Sequence, residues 1–271
     1  MRDHTYDHIP WKPAEIEHRY GEGVHILADP FLLGQLAVLC AKGTIQPHVN
    51  RLVAEIYRSL VKVAINTEFP RHPVSMPTRM IEHTPQGIFQ GEVIDPETRA
   101  VTVNIARAGT LPSQITFDLL NTVLDPPLVR QDHIIMNRAT DAEGHVTGID
   151  VGGSKIGGDV DDAIVVFPDP MGATGGSLST AVDIYKHEVH GTPRKLVALN
   201  LIVTPEYLKR VKADHPEVIV YAVRLDRGLS PPEIFDTVPG ERWDEERGLS
   251  DKQYIVPGGG GFGEIMNNAF V

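Results

Sequence analysis

Between Ala163 and Ser177 an apolar run leads into an acid and then into a string of small residues. The run is Ala163-Ile-Val-Val-Phe167. Asp169 follows it, and Pro170, Met171, Gly172, Ala173, Thr174, Gly175, Gly176 and Ser177 complete the stretch. Small residues let a backbone come close to a ligand. The amides of such a loop and of the first helical turn after it converge on one point, which suits a phosphate dianion. Thr174 and Ser177 add hydroxyl donors, and Asp169 stands at a strand end, where a carboxylate can hold sugar hydroxyls or a magnesium-bound ligand. The Gly-Lys-Ser/Thr ending of a P-loop and the Gly-x-Gly-x-x-Gly of a dinucleotide fingerprint are both missing. By composition alone the segment reads equally well as a glycine-rich strand-to-helix turn capped by Ser177.

Positive charge for such an anion is available at Arg107, in Arg107-Ala-Gly109, and at Arg138, each just after a strand-like run. A guanidinium fork meets phosphate oxygens bidentately, although either arginine alone also reads as a surface or salt-bridging residue. The remaining chemistry-bearing residues read as structure. His4 and His8 sit in a polar arm. His187-Glu-Val-His190 has the wrong spacing for a zinc-protease helix and lies off the apolar stripe. Asp159, Asp161 and Asp162 precede a strand and read as a polar turn. Cys40, the sole cysteine, lies in an apolar stretch and excludes an internal disulfide. No Ser-His-Asp or Cys-His arrangement can be nominated from spacing.

The elements that must carry these residues alternate. Residues 30–69 have helical periodicity, with Leu52, Val53, Ile56, Leu60 and Val63 on one face. Residues 79–98 read as extended or hairpin structure. Val101 to Ala106, His133 to Met136, Ala163 to Phe167, Leu196 to Val203 and Val218 to Leu225 read as strands. Helices are expected over 111–124, over 177–190 and from Pro205 onward. Asp141 to Gly158 is glycine-rich and polar and reads as a loop or flap. Short Val/Ile/Leu strands between helices imply a mostly parallel sheet covered on both faces, with ligands at the carboxyl ends of the strands.

The chain has 271 residues, a formal charge of -11 and 41% hydrophobic residues, which places it among ordinary globular proteins. It is long enough for one large domain with its own core. No apolar run approaches a membrane span, and Met1 to Pro13 has no apolar signal core, so a cytoplasmic protein is expected. The acidic balance argues against nucleic-acid and membrane-surface partners.

At Asp169 to Ser177 the chain resembles the phosphoribosyl-diphosphate (PRPP) loop of the uracil phosphoribosyltransferases, with leucine usual where Gly172 stands here. Tyr254-Ile-Val-Pro-Gly258, followed by Gly260, Phe262 and Gly263, resembles the family's uracil-binding segment. Ile105-Ala-Arg-Ala-Gly109 is similar to its pyrophosphate-contacting loop, and Arg138 matches its second PRPP-binding arginine. The likeness covers roughly residues 25–271, behind an N-terminal arm of residues 1–24. It implies a type I phosphoribosyltransferase-like α/β fold, a mostly parallel central sheet flanked by helices, with a small hood or arm region. The implied reaction is that of pyrimidine salvage, uracil plus PRPP giving UMP and pyrophosphate in a homo-oligomer, with magnesium chelated by the substrate. Arg107, Arg138 and residues 169–177 would bind PRPP, joined by residue 261, with Asp169 and Arg107 serving catalysis. The Ile255 carbonyl and the amides of Gly260, Gly261 and Phe262 would read uracil.

Two departures bear on that reading. The family has Gly-Leu-Gly-Asp where this chain has Gly258, Gly259, Gly260 and Gly261, so an acid is lost at Gly261, while Glu264 stands where a second family Asp is common. Residues 231–250 form an apparent insertion near the base site, which reads as a lid, a dimer contact or a solvated excursion. The alternative function is a PRPP- or nucleotide-binding homologue with a different base, or with little or no turnover.

Overall fold

The computed structural model describes residues 4–140 and 146–270. The chain runs β1 (Val24–Ile26), α1 (Pro30–Cys40), α2 (His48–Glu68), β2 (Arg71–Pro77), β3 (Ile88–Ile94), β4 (Ala100–Ala106), α3 (Thr110–Leu120) and β5 (Val129–Thr140). It continues through β6 (Val146–Lys155), β7 (Ile164–Pro168), β8 (Met171–Gly172), α4 (Gly176–His187), β9 (Lys195–Val203), α5 (Pro205–Asp214), β10 (Ile219–Leu225) and α6 (Phe262–Ile265). The main sheet has the order β1-β10-β9-β7-β4-β5-β6, with β8 added beside the end of β9. Every pairing in it is parallel except β5 with β6.

Strand residues alternate between two cores because successive side chains leave opposite faces of a sheet. Ile164, Val197 and Tyr221 pack with Leu36, Ile56 and Leu60 of α1 and α2 on one face. Val165, Ala198 and Val220 pack with Tyr185 and Leu208 of α4 and α5 on the other. Both faces are therefore covered, which is why these strands read as nearly unbroken Val/Ile/Leu runs. Thr204 caps α5 through its hydroxyl, and Pro205 takes the first helical position, where no amide is needed.

Three expectations need correction. Residues 146–155 form a strand antiparallel to β5, not a loop. Its glycines and exposed polar residues gave no alternating apolar signal because it is the sheet's edge and covers little core. The hairpin expected within 79–98 begins earlier: β3 pairs with β2, and residues 79–82 form a 3-10 turn between them. The arm does not run free to residue 24. Tyr20 is buried, the Glu92 amide donates to the Tyr6 carbonyl, and the Tyr6 ring meets Phe89 on the hairpin. No helix among the described residues is long and apolar enough to cross a membrane.

The long β5–β6 hairpin is tied to the body by Asp132, which is 1% exposed. Its carboxylate accepts from the Tyr185 hydroxyl at 2.7 Å, from Arg130 Nε at 3.0 Å and from the Gly157 amide at 2.9 Å. Asp132→Ala removes the acceptor for three donors at once. The free energy of unfolding should fall by about 3 kcal/mol, the low end for breaking a buried pair, as a lowered urea midpoint with an unchanged m-value will show.

Candidate functional site

Three loops meet at the carboxyl ends of the central strands. The first runs from the end of β7 into α4. The carbonyls of Asp169, Pro170, Gly172 and Ala173 face β9 and its continuation. The Asn200 side-chain amide donates to the Asp169 carbonyl at 2.7 Å, and the amides of Leu201 and Ile202 donate to that of Pro170 at 3.0 and 3.1 Å. The Thr204 amide donates to Gly172 at 3.0 Å, and the Thr204 hydroxyl to Ala173 at 2.6 Å. On the other side, the amides of Thr174, Gly175 and Ser177 take no backbone acceptor among the described residues. Gly175, with φ +81°, turns the chain into α4, and no side chain caps that helix, so Ser177 is not its cap. Outward-facing amides without carbonyls make an anion-binding surface.

Asp169 stands at the mouth of this loop above two buried phenols. Burial first, and then the Asp169 charge, pushes the Tyr57 hydroxyl well above the usual tyrosine range, and the same two causes raise Tyr207. Both stay protonated, and both are hydrogen-bonded, Tyr57 to the Leu199 carbonyl and Tyr207 to Asn200. Tyr207 also explains Gly172. A Cβ there would meet the Tyr207 ring and the Val203 side chain at 3.0 Å. The room a larger residue would use is already filled from α5.

The second loop follows β4. Gly109 closes it, its amide donating to the Ile105 carbonyl at 2.9 Å, and α3 begins at once. Arg107 follows a cis peptide and is exposed. Its guanidinium donates to the Ala269 carbonyl at 3.2 Å and has no carboxylate partner among the described residues. Arg138 is placed by its backbone. It pairs with Ile149 across the β5–β6 hairpin, three residues beyond the last contact of β5 with β4. Ile149 in turn lies 3.5 Å from a Cβ built at Gly176, so the hairpin stands beside the α4 entrance. The Arg138 side chain lies outside the described residues.

The third loop is the C-terminal segment. The Gly258 amide donates to the Asp226 carboxylate at 2.7 Å, and Arg224 bridges that carboxylate and the Gly258 carbonyl, the latter at 2.9 Å. Gly258 has φ +62°, and a Cβ on it would fall 2.2 Å from the Ile255 carbonyl oxygen, so the turn requires glycine. The Ile255 carbonyl and the amides of Gly260, Gly261 and Phe262 have no backbone partner among the described residues. Phe262 is buried, and Gln46 and Asn50 hold the carbonyls of Ile265 and Met266. Gly263 lies against Ala108 and Arg107, which joins this segment to the second loop. Cys40 is half-buried beneath it. A Cβ at Gly259 would meet its sulfur at 2.7 Å. Burial pushes the Cys40 thiol up, with Arg224 opposing.

Sequence reasoning missed Asn200, Thr204, Tyr207, Arg224 and Asp226, all of which orient loops. Asp226 alone had a legible signal, a carboxylate directly after a strand, as with Asp169. The insertion is held away from these loops at its middle. Glu246, fully buried, pairs with Arg227 at 3.0 Å and accepts from Tyr20, while Trp243 donates to the Pro205 carbonyl at 2.9 Å. Its two ends return to the root of the third loop, where the Gly228 amide meets the Val256 carbonyl and the Val256 amide meets that of Gly248. A cleft of about 470 Å³ lined by Trp11, Asn66, Phe69 and Arg71 opens at the opposite, amino end of the strands, below the Glu68–Lys195 pair.

The filling of space at Gly172 gives a double-mutant test. Gly172→Leu should destabilise the protein by about 1–3 kcal/mol through overpacking. In a Tyr207→Ala background the same change should cost less, leaving a coupling energy of about 1 kcal/mol or more in denaturant titrations.

A family model described as "uracil phosphoribosyltransferase" matches residues 26–241. The uracil phosphoribosyltransferase of Caldanaerobacter subterraneus subsp. tengcongensis is 26% identical over 90% of this chain and 97% of its own length. That of Dictyoglomus thermophilum is 29% identical over 90% and 98%. Among solved structures, the AQ2163 protein of Aquifex aeolicus shares the fold, with a TM-score of 0.69 at 23% identity over 92% of this chain and 99% of that one.

Proposed function

We propose, because the chain belongs to the uracil phosphoribosyltransferase family, that it transfers the phosphoribosyl group of PRPP to uracil, giving UMP and pyrophosphate. The fold is the type I phosphoribosyltransferase fold. The observation that carries the finer reading is the pairing of the first and third loops. One presents three amides without a backbone acceptor while most of its carbonyls are held by β9, and the other presents one carbonyl and three amides with no backbone partner among the described residues. The first matches a phosphate dianion. The second matches the edge of a pyrimidine that offers one N–H donor between two carbonyl acceptors, an edge that cytosine does not present.

In this reaction a bond forms from uracil N1, which gives up its proton, to the ribose anomeric carbon as the bond from that carbon to pyrophosphate breaks. Positive charge gathers on the sugar and negative charge on the leaving group. Positioning and charge neutralisation therefore carry the rate, with no covalent nucleophile needed. Arg107, exposed and without a carboxylate partner among the described residues, is available to the leaving pyrophosphate, and Arg138 to the same donor. Asp169 would accept from the ribose hydroxyls and support the electron-poor sugar. Magnesium enters with PRPP as part of the substrate, held by its oxygens and by water.

The test is UMP formation by the purified protein with magnesium, PRPP and a panel of nucleobases. Uracil should be the preferred acceptor and cytosine should be rejected. Product with a purine alone, or with no base, would overturn the reading. Arg107→Ala should lower kcat by roughly 100–1000-fold, the range for removing one charge-stabilising donor. Its thermal midpoint should stay in place, because the side chain holds only the Ala269 carbonyl.

A further inference from the structure

Gly261 lacks the acid its position would suggest, but the space beside it is not empty. A Cβ built on Gly261 would fall 1.5 Å from Glu264 Oε2 and 2.7 Å from Glu264 Cδ. The Glu264 carboxylate therefore occupies the volume in which a side chain at 261 would begin. Gly261 has φ -82° and ψ 96°, a conformation open to any residue. What glycine supplies here is room for Glu264.

We propose that Glu264 is the carboxylate that binds the PRPP side of the substrate pair, a contact that rests on the function proposed above. Glu264 sits in the first turn of α6, and its carboxylate makes no hydrogen bond or ion pair among the described residues. The simplest structural use would be to reach back to the Gly261 amide, as in a capping box. No such bond forms. A half-buried carboxylate that no protein group holds is free to accept from a ligand. The neighbours show which ligand. Gly263, one residue away, lies against Arg107 and Ala108, and the amides of Gly260, Gly261 and Phe262 face outward beside it. All of these are donors or cations. Glu264 brings an acceptor to this corner, suited to a ribose hydroxyl or to a water on the substrate's magnesium.

Calorimetric binding of magnesium–PRPP to the full chain tests this without turnover. Glu264→Ala should bind it roughly 10–100-fold more weakly, the range for losing a hydrogen bond to a charged group, with an unchanged thermal midpoint. The double variant Gly261→Asp/Glu264→Ala should recover most of the loss by returning a carboxylate to the same space. Wild-type affinity in Glu264→Ala would overturn the assignment. A wild type that neither binds PRPP nor forms UMP would overturn the proposed function itself, which separates the two failures.

Discussion

The carbonyls of Asp169, Pro170, Gly172 and Ala173 are drawn toward the end of β9. Five backbone or side-chain donors from Asn200 to Thr204 take them, and β8 adds two residues of parallel pairing with Ile202 and Val203. A buried carbonyl must be satisfied, and once it is satisfied in this direction the peptide planes fix where the amides point. The α4 entrance becomes a surface of donors only. The rest of the site follows from that orientation. Asp169 is set at the mouth, Tyr57 and Tyr207 are set beneath it, and the arginine-bearing loops need only stand on either side. Catalysis by charge neutralisation depends on such fixed dipoles, because they need no reorganisation as charge develops.

Around this frame, the space beside three glycines is taken by neighbouring side chains. Three glycines stand where the related motif carries larger residues, and each has a neighbour in the vacated room. Tyr207 fills it at Gly172, Cys40 at Gly259 and Glu264 at Gly261. Interiors are packed near crystal density, so a lost side chain must be replaced or leave a cavity. Two of these neighbours are steric and the third carries charge.

Much of the architecture was legible because buried parallel strands have few ways to be written. Ile164 to Phe167 and Leu196 to Val203 leave no polar face, and Pro205 and Gly191 mark a helix start and a helix end. The three loops were legible too, through glycine and arginine at strand ends. The edge strand β6 was not, since Gly148, Gly152 and Gly153 weaken any alternation and an exposed edge needs no apolar face. Nor was the anchoring of the insertion. Glu246 looks like one member of the charged run 244–247, but its partners Tyr20 and Arg227 are remote in sequence, and only the folded chain shows it buried. The orienting residues behind the loops escaped for the same reason. Asn200 and Thr204 are unremarkable within a strand until the carbonyls they hold are known.

The two tryptophans lie away from the tyrosines beneath Asp169. Trp243 meets the Tyr20 ring at 4.9 Å in the insertion, and Trp11 lines the cleft at the amino end of the strands. Neither lies in the three loops. Tyr57 and Tyr207, by contrast, lie directly under Asp169, buried and hydrogen-bonded. The two indoles thus sit apart from the three loops. Selectively excited indole emission follows the seating of the arm and the insertion, without a label, and separates detachment of the periphery from events at the first loop.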